Sequence, residues 1–201
     1  RLSVAGGVAL GLSFLAHHMT AFAFGLGLPI WVLFHHWRQP DQRRYLYTLT
    51  LLFTGAAVAS TVWWVIPWAL NLAEAGFERE TPGLWSFPLG SYLEALTQRD
   101  LIGLYAYPNY IGVGFIALAI GGVIQALVTP SRTTPYAILL IVFVAFSLGE
   151  QVNPLVRVWP LSGLDVARFQ VYMVPLMVLV GLPFLANLPG AVGELLRARR
   201  V

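Results

Sequence analysis

Two adjacent histidines, His17 and His18, stand in the middle of the apolar stretch LSFLAHHMTAFAF, residues 12–24. A neutral imidazole both donates and accepts a hydrogen bond, and its protonated form binds an anion. Ionisable side chains inside a membrane segment are costly and face a cavity or a path. The pair therefore suits contact with a phosphate, a sugar hydroxyl or a proton. It equally suits capping of a helix bend through bonds to backbone. Successive helical residues point about 100° apart, and no other ligand type lies near in sequence, so a shared metal is not expected. His35 and His36 adjoin Trp37 and Arg38, and an interfacial role suffices for them.

Arg168 is the second candidate. It lies in LDVARFQVYMVPLMVLVG, about one turn inside an apolar segment, with Pro175 deeper in the same run. A guanidinium at that depth needs a partner or a wet pocket, and its planar fork of donors matches a phosphate. A salt bridge to Asp165, three residues earlier, is the plain structural alternative. The segment SLGEQVNPLVRVWPLSGLD adds Glu150 and Arg157. These two either wall a site open to the outer leaflet or belong to a surface loop anchored by Trp159. The carboxylates of residues 71–100 are general-base candidates by charge alone, and a solvated acidic loop explains them as well. No phosphate-binding glycine loop, zinc motif or nucleophile elbow is present, which leaves no cofactor evident. A divalent metal is chemically conceivable but has no ligand set in this chain.

The elements that must position these residues follow from composition. Of 201 residues, 58% are hydrophobic and only 10% are charged, against roughly a quarter charged in soluble domains. That places the chain in the membrane class. All twelve basic residues are arginine, and they cluster at segment ends, so membrane orientation accounts for the net charge of +3 without nucleic acid. With no cysteine, disulfides and thiolate metal sites are excluded.

About 20 apolar residues cross the hydrocarbon core as a helix. Five regions meet or approach this length: 2–34, 45–70, 101–128, 136–149 and 166–186. Arginine-bearing loops at 38–44, 129–135 and 187–201 alternate with acidic ones at 71–100 and 150–165. Cytoplasmic loops are enriched in arginine, so the basic set is placed in the cytoplasm and the acidic set outside. Trp63, Trp64 and Trp68 then mark the outer end of the second crossing, and Tyr45 and Tyr47 its inner end. The first region is too long for one simple crossing. It is read as a hairpin of two short helices bending at His17-His18, with a single tilted helix kinked at Pro29 as the rival. In the long outer loop, Ser91 and Glu94 stand at capping-box spacing, which predicts a short interfacial helix. The whole, residues 1–201, reads as one transmembrane domain. An opening on Arg1 without a signal-cleavage pattern marks it as a piece of a longer chain.

Three stretches together resemble the C-terminal part of the GT-C-fold polytopic membrane glycosyltransferases. GVALGLSFLAHHMTAFAFGLGLPIWVLF is similar to that superfamily's Gly-rich short helix followed by a second short apolar helix. VASTVWWVIPWALN looks like the crossing that ends in an aromatic-Pro pair before a long outer loop. VARFQVYMVPLMVLVG, with Arg168 and Pro175 seven residues apart, is similar to a late helix of the oligosaccharyltransferase catalytic subunit. A bacterial membrane family labelled as related to 6-pyruvoyl-tetrahydropterin synthase shows a similar overall pattern. The resemblance implies an all-α, polytopic transmembrane bundle with a short N-terminal helical hairpin. It implies transfer of a sugar from a polyprenyl-phosphate carrier on the extracytoplasmic face of a bacterial or archaeal plasma membrane. Arg168 would neutralise the carrier phosphate. His17 and His18, with Glu150 and Arg157, would line the substrate site. Partners would be membrane lipid, the lipid-linked sugar, and the rest of the parent chain or other membrane subunits. The superfamily's catalytic Asp lies in an outer loop that this chain lacks, so no catalytic residue is assigned. Two other functions fit the composition: a transporter or flippase segment with a histidine proton relay, and a non-catalytic membrane subunit.

Overall fold

A computed structural model of the chain describes residues 2–16, 18–74, 111–148, 153–157 and 169–198. Six α-helices and two short 3-10 turns account for nearly all of these, and no strand occurs among the described residues. The class is all-helical, as composition and apolar runs require. The chain gathers into two compact units, Arg1–Pro82 and Gly83–Val201.

The first unit holds α1 (Leu2–Ala16), α2 (His18–Arg38), a 3-10 turn (Pro40–Gln42) and α3 (Arg43–Glu74). Helices α1 and α3 meet through glycine. Gly7 and Gly11 are one turn apart and both are buried. A Cβ at Gly7 would overlap the Phe53 carbonyl oxygen and lie 2.8 Å from the Ala56 Cβ. One at Gly11 would overlap the Ser60 hydroxyl and lie 2.8 Å from the Ala57 carbonyl oxygen. Small residues on both helices thus bring the two backbones together, the geometry of the GxxxG motif in lipid. One turn further along, Phe14 meets Trp64 edge-on with centroids 6.1 Å apart.

These contacts also fix direction. As α1 rises from Gly6 to Phe14, its partners on α3 rise from Phe53 to Trp64. The two helices therefore run in the same sense. Helix α2 does the opposite, because it enters α3 through the short turn. His36 contacts Tyr47, and Trp31, further back, shares a cavity with Leu49. It follows that α1 and α2 run in opposite senses, so residues 2–34 form two helices rather than one tilted crossing. Pro29 lies inside α2.

Helix α3 has 32 residues, about 48 Å at ~1.5 Å per residue. Its N-terminal part falls in Pro40–Pro67, which with Tyr172–Gly190 makes two stretches among the described residues that are long and apolar enough to cross a membrane. The most apolar 18 residues of Pro40–Pro67 include no buried side chain. Leu51 is 74% exposed and Trp63 65%, and Leu52, Val58, Ile66 and Leu70 are exposed as well. Leu46, near the turn, is buried.

The second unit holds α4 (Val113–Val128), α5 (Thr134–Ser147), a 3-10 turn (Pro154–Arg157) and α6 (Phe169–Ala198). Of the third apolar region, 101–128, residues 101–110 lie outside the described residues, and α4 begins at Val113. Gly112 precedes it with φ 91°, outside the right-handed helical region and easy only for glycine. Helices α4 and α5 have 16 and 14 residues, about 24 and 21 Å, short of a ~30 Å hydrocarbon core. Thr134 ties them together. Its hydroxyl donates to the Ala126 carbonyl at 2.8 Å and accepts from the Ser131 N–H at 2.9 Å. The core of this unit comprises Ala119, Ala126, Ala137, Leu140, Phe143, Met173, Leu176, Met177 and Val180. Glycine again sets the closest approach: a Cβ at Gly122 would overlap the Val180 carbonyl oxygen, and one at Gly121 the Phe184 ring.

Residues 187–201 were read as a cytoplasmic loop, but α6 continues to Ala198 through Pro175, Pro183 and Pro189. Each proline removes a single backbone donor. The run ANLPGAVGELLRA between and beyond them is otherwise compatible with helix, with Leu, Ala, Glu and Arg as strong formers. The helix therefore outlasts the apolar stretch. The interfacial helix anticipated around Ser91 lies outside the described residues.

Candidate functional site

The five residues singled out for substrate binding fare unequally. His17, Glu150 and Arg168 lie outside the described residues. His18 opens α2 in the first unit, and Arg157 closes the Pro154–Arg157 turn in the second; for both, only the backbone is described. The shared outward pocket expected of the five is thus outside what the described residues place.

One part of that neighbourhood is built in detail. Asn153 anchors the turn that carries Arg157. Its amide Nδ2 donates to the Ala145 carbonyl at 3.4 Å, and its Oδ1 accepts from the Leu155 N–H at 3.1 Å. The second bond is an Asx-turn, which an Asn-Pro pair favours. Asn153 thereby pins the start of the turn against the last turns of α5. Just before it, the Ser147 hydroxyl, fully buried, donates to the Val144 carbonyl at 2.9 Å and reaches the Met173 Sδ at 3.7 Å. The positioning role of Asn153 was missed in sequence, although the Asn-Pro dipeptide was its signal.

The other well-defined cluster lies at the elbow between α2 and α3. The elbow forms because Pro40 starts a 3-10 turn, with the Gln42 N–H donating to the Gln39 carbonyl at 3.0 Å. The Gln39 N–H in turn donates to the His35 carbonyl at 2.9 Å, closing α2. Side chains then brace the bend. The Arg43 Nε donates to the His36 carbonyl at 3.1 Å, and the Tyr47 hydroxyl pairs with the His36 Nδ1 at 2.5 Å. His35 stacks at a tilt on Trp31, centroids 4.3 Å apart, and meets Phe34 edge-on at 5.5 Å. The Arg38 guanidinium lies over the Phe34 ring, 5.9 Å from its centroid.

Inside this bend is a cavity of about 200 Å³ lined by Trp31, His35, Gln39, Gln42, Tyr45, Leu46 and Leu49. Five of the seven carry hydrogen-bonding groups, the Trp31 indole N–H among them, and the indole face with Leu46 and Leu49 supplies an apolar wall. Residues 38–44 hold Arg38, Arg43 and Arg44 against Asp41, three positive charges minus one negative, a formal +2. Among the described residues no carboxylate forms an ion pair with Arg38 or Arg44, and no group of three His, Asp or Glu is arranged to hold a metal. The two histidines read as merely interfacial are therefore structural parts of the elbow, one bracing it and one lining its cavity. Their signal was the i,i+4 spacing of Trp31 and His35. The His36–Tyr47 pairing crosses the turn and has no local signal.

A scan against protein-family models, a search of the curated proteins and a search of the solved structures find nothing that matches this chain.

Proposed function

We propose that this chain is an integral membrane module, the C-terminal part of a GT-C-like glycosyltransferase that takes a sugar from a polyprenyl-phosphate carrier on the extracytoplasmic face. The observation that carries the membrane part is α3: its most apolar 18 residues hold no buried side chain. A core helix of a water-soluble protein buries such a stretch, whereas a helix apolar all round and uncovered suits lipid. Close α1–α3 packing through Gly7 and Gly11 supports the same reading, since helices in lipid associate through small residues. The transferase part rests on the sequence resemblance and on the chemistry of Arg168, His17, His18, Glu150 and Arg157 as a phosphate- and hydroxyl-binding set.

In this reading the elbow at 38–44 and the turn at 129–133 face the cytoplasm. The end of α1 where Phe14 meets Trp64 lies toward the outer face. The test is Arg168→Ala in the full-length protein, assayed for sugar transfer from the lipid-linked donor and for folding by circular dichroism. Loss of transfer with folding retained is the expected outcome. Normal turnover removes Arg168 from the site and with it the assignment of this segment to the carrier phosphate.

A further inference from the structure

The cavity at the α2–α3 elbow has no part in that proposed chemistry, yet it combines features that together specify a ligand. It is an open-sided hollow with volume for a group the size of glycerophosphate, smaller than the ~300–1,000 Å³ of drug-sized pockets. Imidazole, two carboxamides and a phenol line it: His35, Gln39, Gln42 and Tyr45. Its other wall is Trp31, Leu46 and Leu49. The surrounding segment carries a formal +2 from Arg38, Arg43 and Arg44 against Asp41. Arg38 and Arg44 have no acidic partner among the described residues, and both are exposed. Trp37, Tyr45 and Tyr47 are exposed around the same bend, and indole and phenol rings concentrate at the headgroup level of a bilayer. Hydrogen-bonding side chains and an apolar floor thus line one cavity, and the segment that flanks it is positive.

We propose that this cavity binds the headgroup of an anionic phospholipid of the cytoplasmic leaflet. The phosphate is drawn by the net positive segment 38–44, whose Arg38 and Arg44 flank the cavity without lining it. The glycerol oxygens meet Gln39, Gln42, His35 and Tyr45, and the start of the acyl chains lies against Trp31, Leu46 and Leu49. A zwitterionic headgroup would carry its own cation into a region that is already positive, so an anionic lipid is favoured. The inference rests on the membrane part of the reading above and is independent of the transferase part.

The test reconstitutes the full chain in nanodiscs of equal phosphatidylcholine and phosphatidylglycerol and measures which lipid it retains, by native mass spectrometry and by spin-labelled lipid. The wild-type chain should retain phosphatidylglycerol in several-fold preference. Arg38→Gln with Arg44→Gln should remove most or all of that preference, since each basic residue near a charged surface is worth about fivefold. Leu49→Trp, which fills the cavity and leaves every charge in place, should abolish it. Arg132→Gln, on the turn of the second unit, should leave it unchanged. Gln39→Leu with Gln42→Leu, both at exposed positions, repeats the test without adding bulk should Leu49→Trp misfold. Preference that persists in the cavity-filled or amide-less variants, or in the double arginine variant, overturns the site. So does displacement by inorganic phosphate, which would assign the cavity to a soluble anion. A chain that enters the bilayer without preferring phosphatidylglycerol refutes this inference alone. A chain that does not enter it refutes the membrane reading as well.

Discussion

Alanine at Gly7 and alanine at Gly55 should change stability in opposite directions. Both glycines sit inside helices, α1 and α3, where alanine is intrinsically better by about 1 kcal/mol. At Gly55 an added Cβ meets nothing within 4 Å, so the full gain of about 1 kcal/mol is expected. At Gly7 the same atom overlaps the Phe53 carbonyl oxygen and lies 3.0 Å from the Phe53 carbonyl carbon. These are backbone atoms, which cannot swing aside as the tip of a side chain would. The helices must instead move apart. A gap of 0.5–1 Å forfeits about a quarter to a half of each dispersion contact along the seam, and overpacking of this kind costs about 1–3 kcal/mol. After subtracting the helical gain, Gly7→Ala should destabilise by up to about 2 kcal/mol, so the two variants should differ by about 1–3 kcal/mol. The measurement is denaturation in mixed micelles with rising sodium dodecyl sulfate, followed by circular dichroism. If Gly7→Ala stabilises as much as Gly55→Ala, the close approach of α1 to α3 is wrong, and the opposed senses of α1 and α2 lose their main support.

Two further variants probe the second unit. Thr134→Val keeps the side chain's shape but removes the hydroxyl shared by the Ala126 carbonyl and the Ser131 N–H. It should cost about 1–3 kcal/mol, because buried groups are left without a partner; an unchanged denaturation midpoint would show that the hydroxyl is replaceable there. Met173→Ala empties a position that is 1% exposed and should cost about 2–5 kcal/mol, whereas Met173→Leu should stay within about 1.5 kcal/mol. Equal losses for the two Met173 variants would point to the sulfur contact with Ser147 rather than to packing volume.

The helical class and the rough extent of several apolar helices are legible because apolar runs are a property of composition. The division of residues 2–34 was legible too, because its length exceeds one crossing. Other features depend on information a single sequence does not display locally. The start of α4 at Val113 turns on the positive φ of Gly112, and nothing distinguishes that glycine by type from Gly114 two residues on, which is helical. The persistence of α6 to Ala198 was hidden by Pro183, Pro189 and the basic tail, all of which suggest an ending but do not force one. The glycines of α1 were visible as a Gly-rich face, but their register against Phe53 and Ser60 is a tertiary fact. At the elbow, His35 and His36 were assigned to the interface by position. Their actual work depends on Tyr47, eleven residues beyond His36, and on a turn that folds the two helices together.

The two units use the same device independently. In the first, Gly7 and Gly11 let the backbone of α1 touch that of α3; in the second, Gly122 does the same between α4 and α6 at Val180. In water such seams would be poor economy, because large apolar side chains there gain about 25 cal/mol for each Å² they bury and glycine contributes none of it. Leu51, Trp63 and Ile66 on α3 remain exposed while glycine and serine occupy its seam with α1. That is the reverse of what hydrophobic collapse selects. It is what lipid selects, where exposing leucine costs nothing and helices gain mainly from dispersion at close range. In both units glycine, and not a large apolar side chain, marks the closest approach of two backbones, and that arrangement counts toward the membrane reading proposed above.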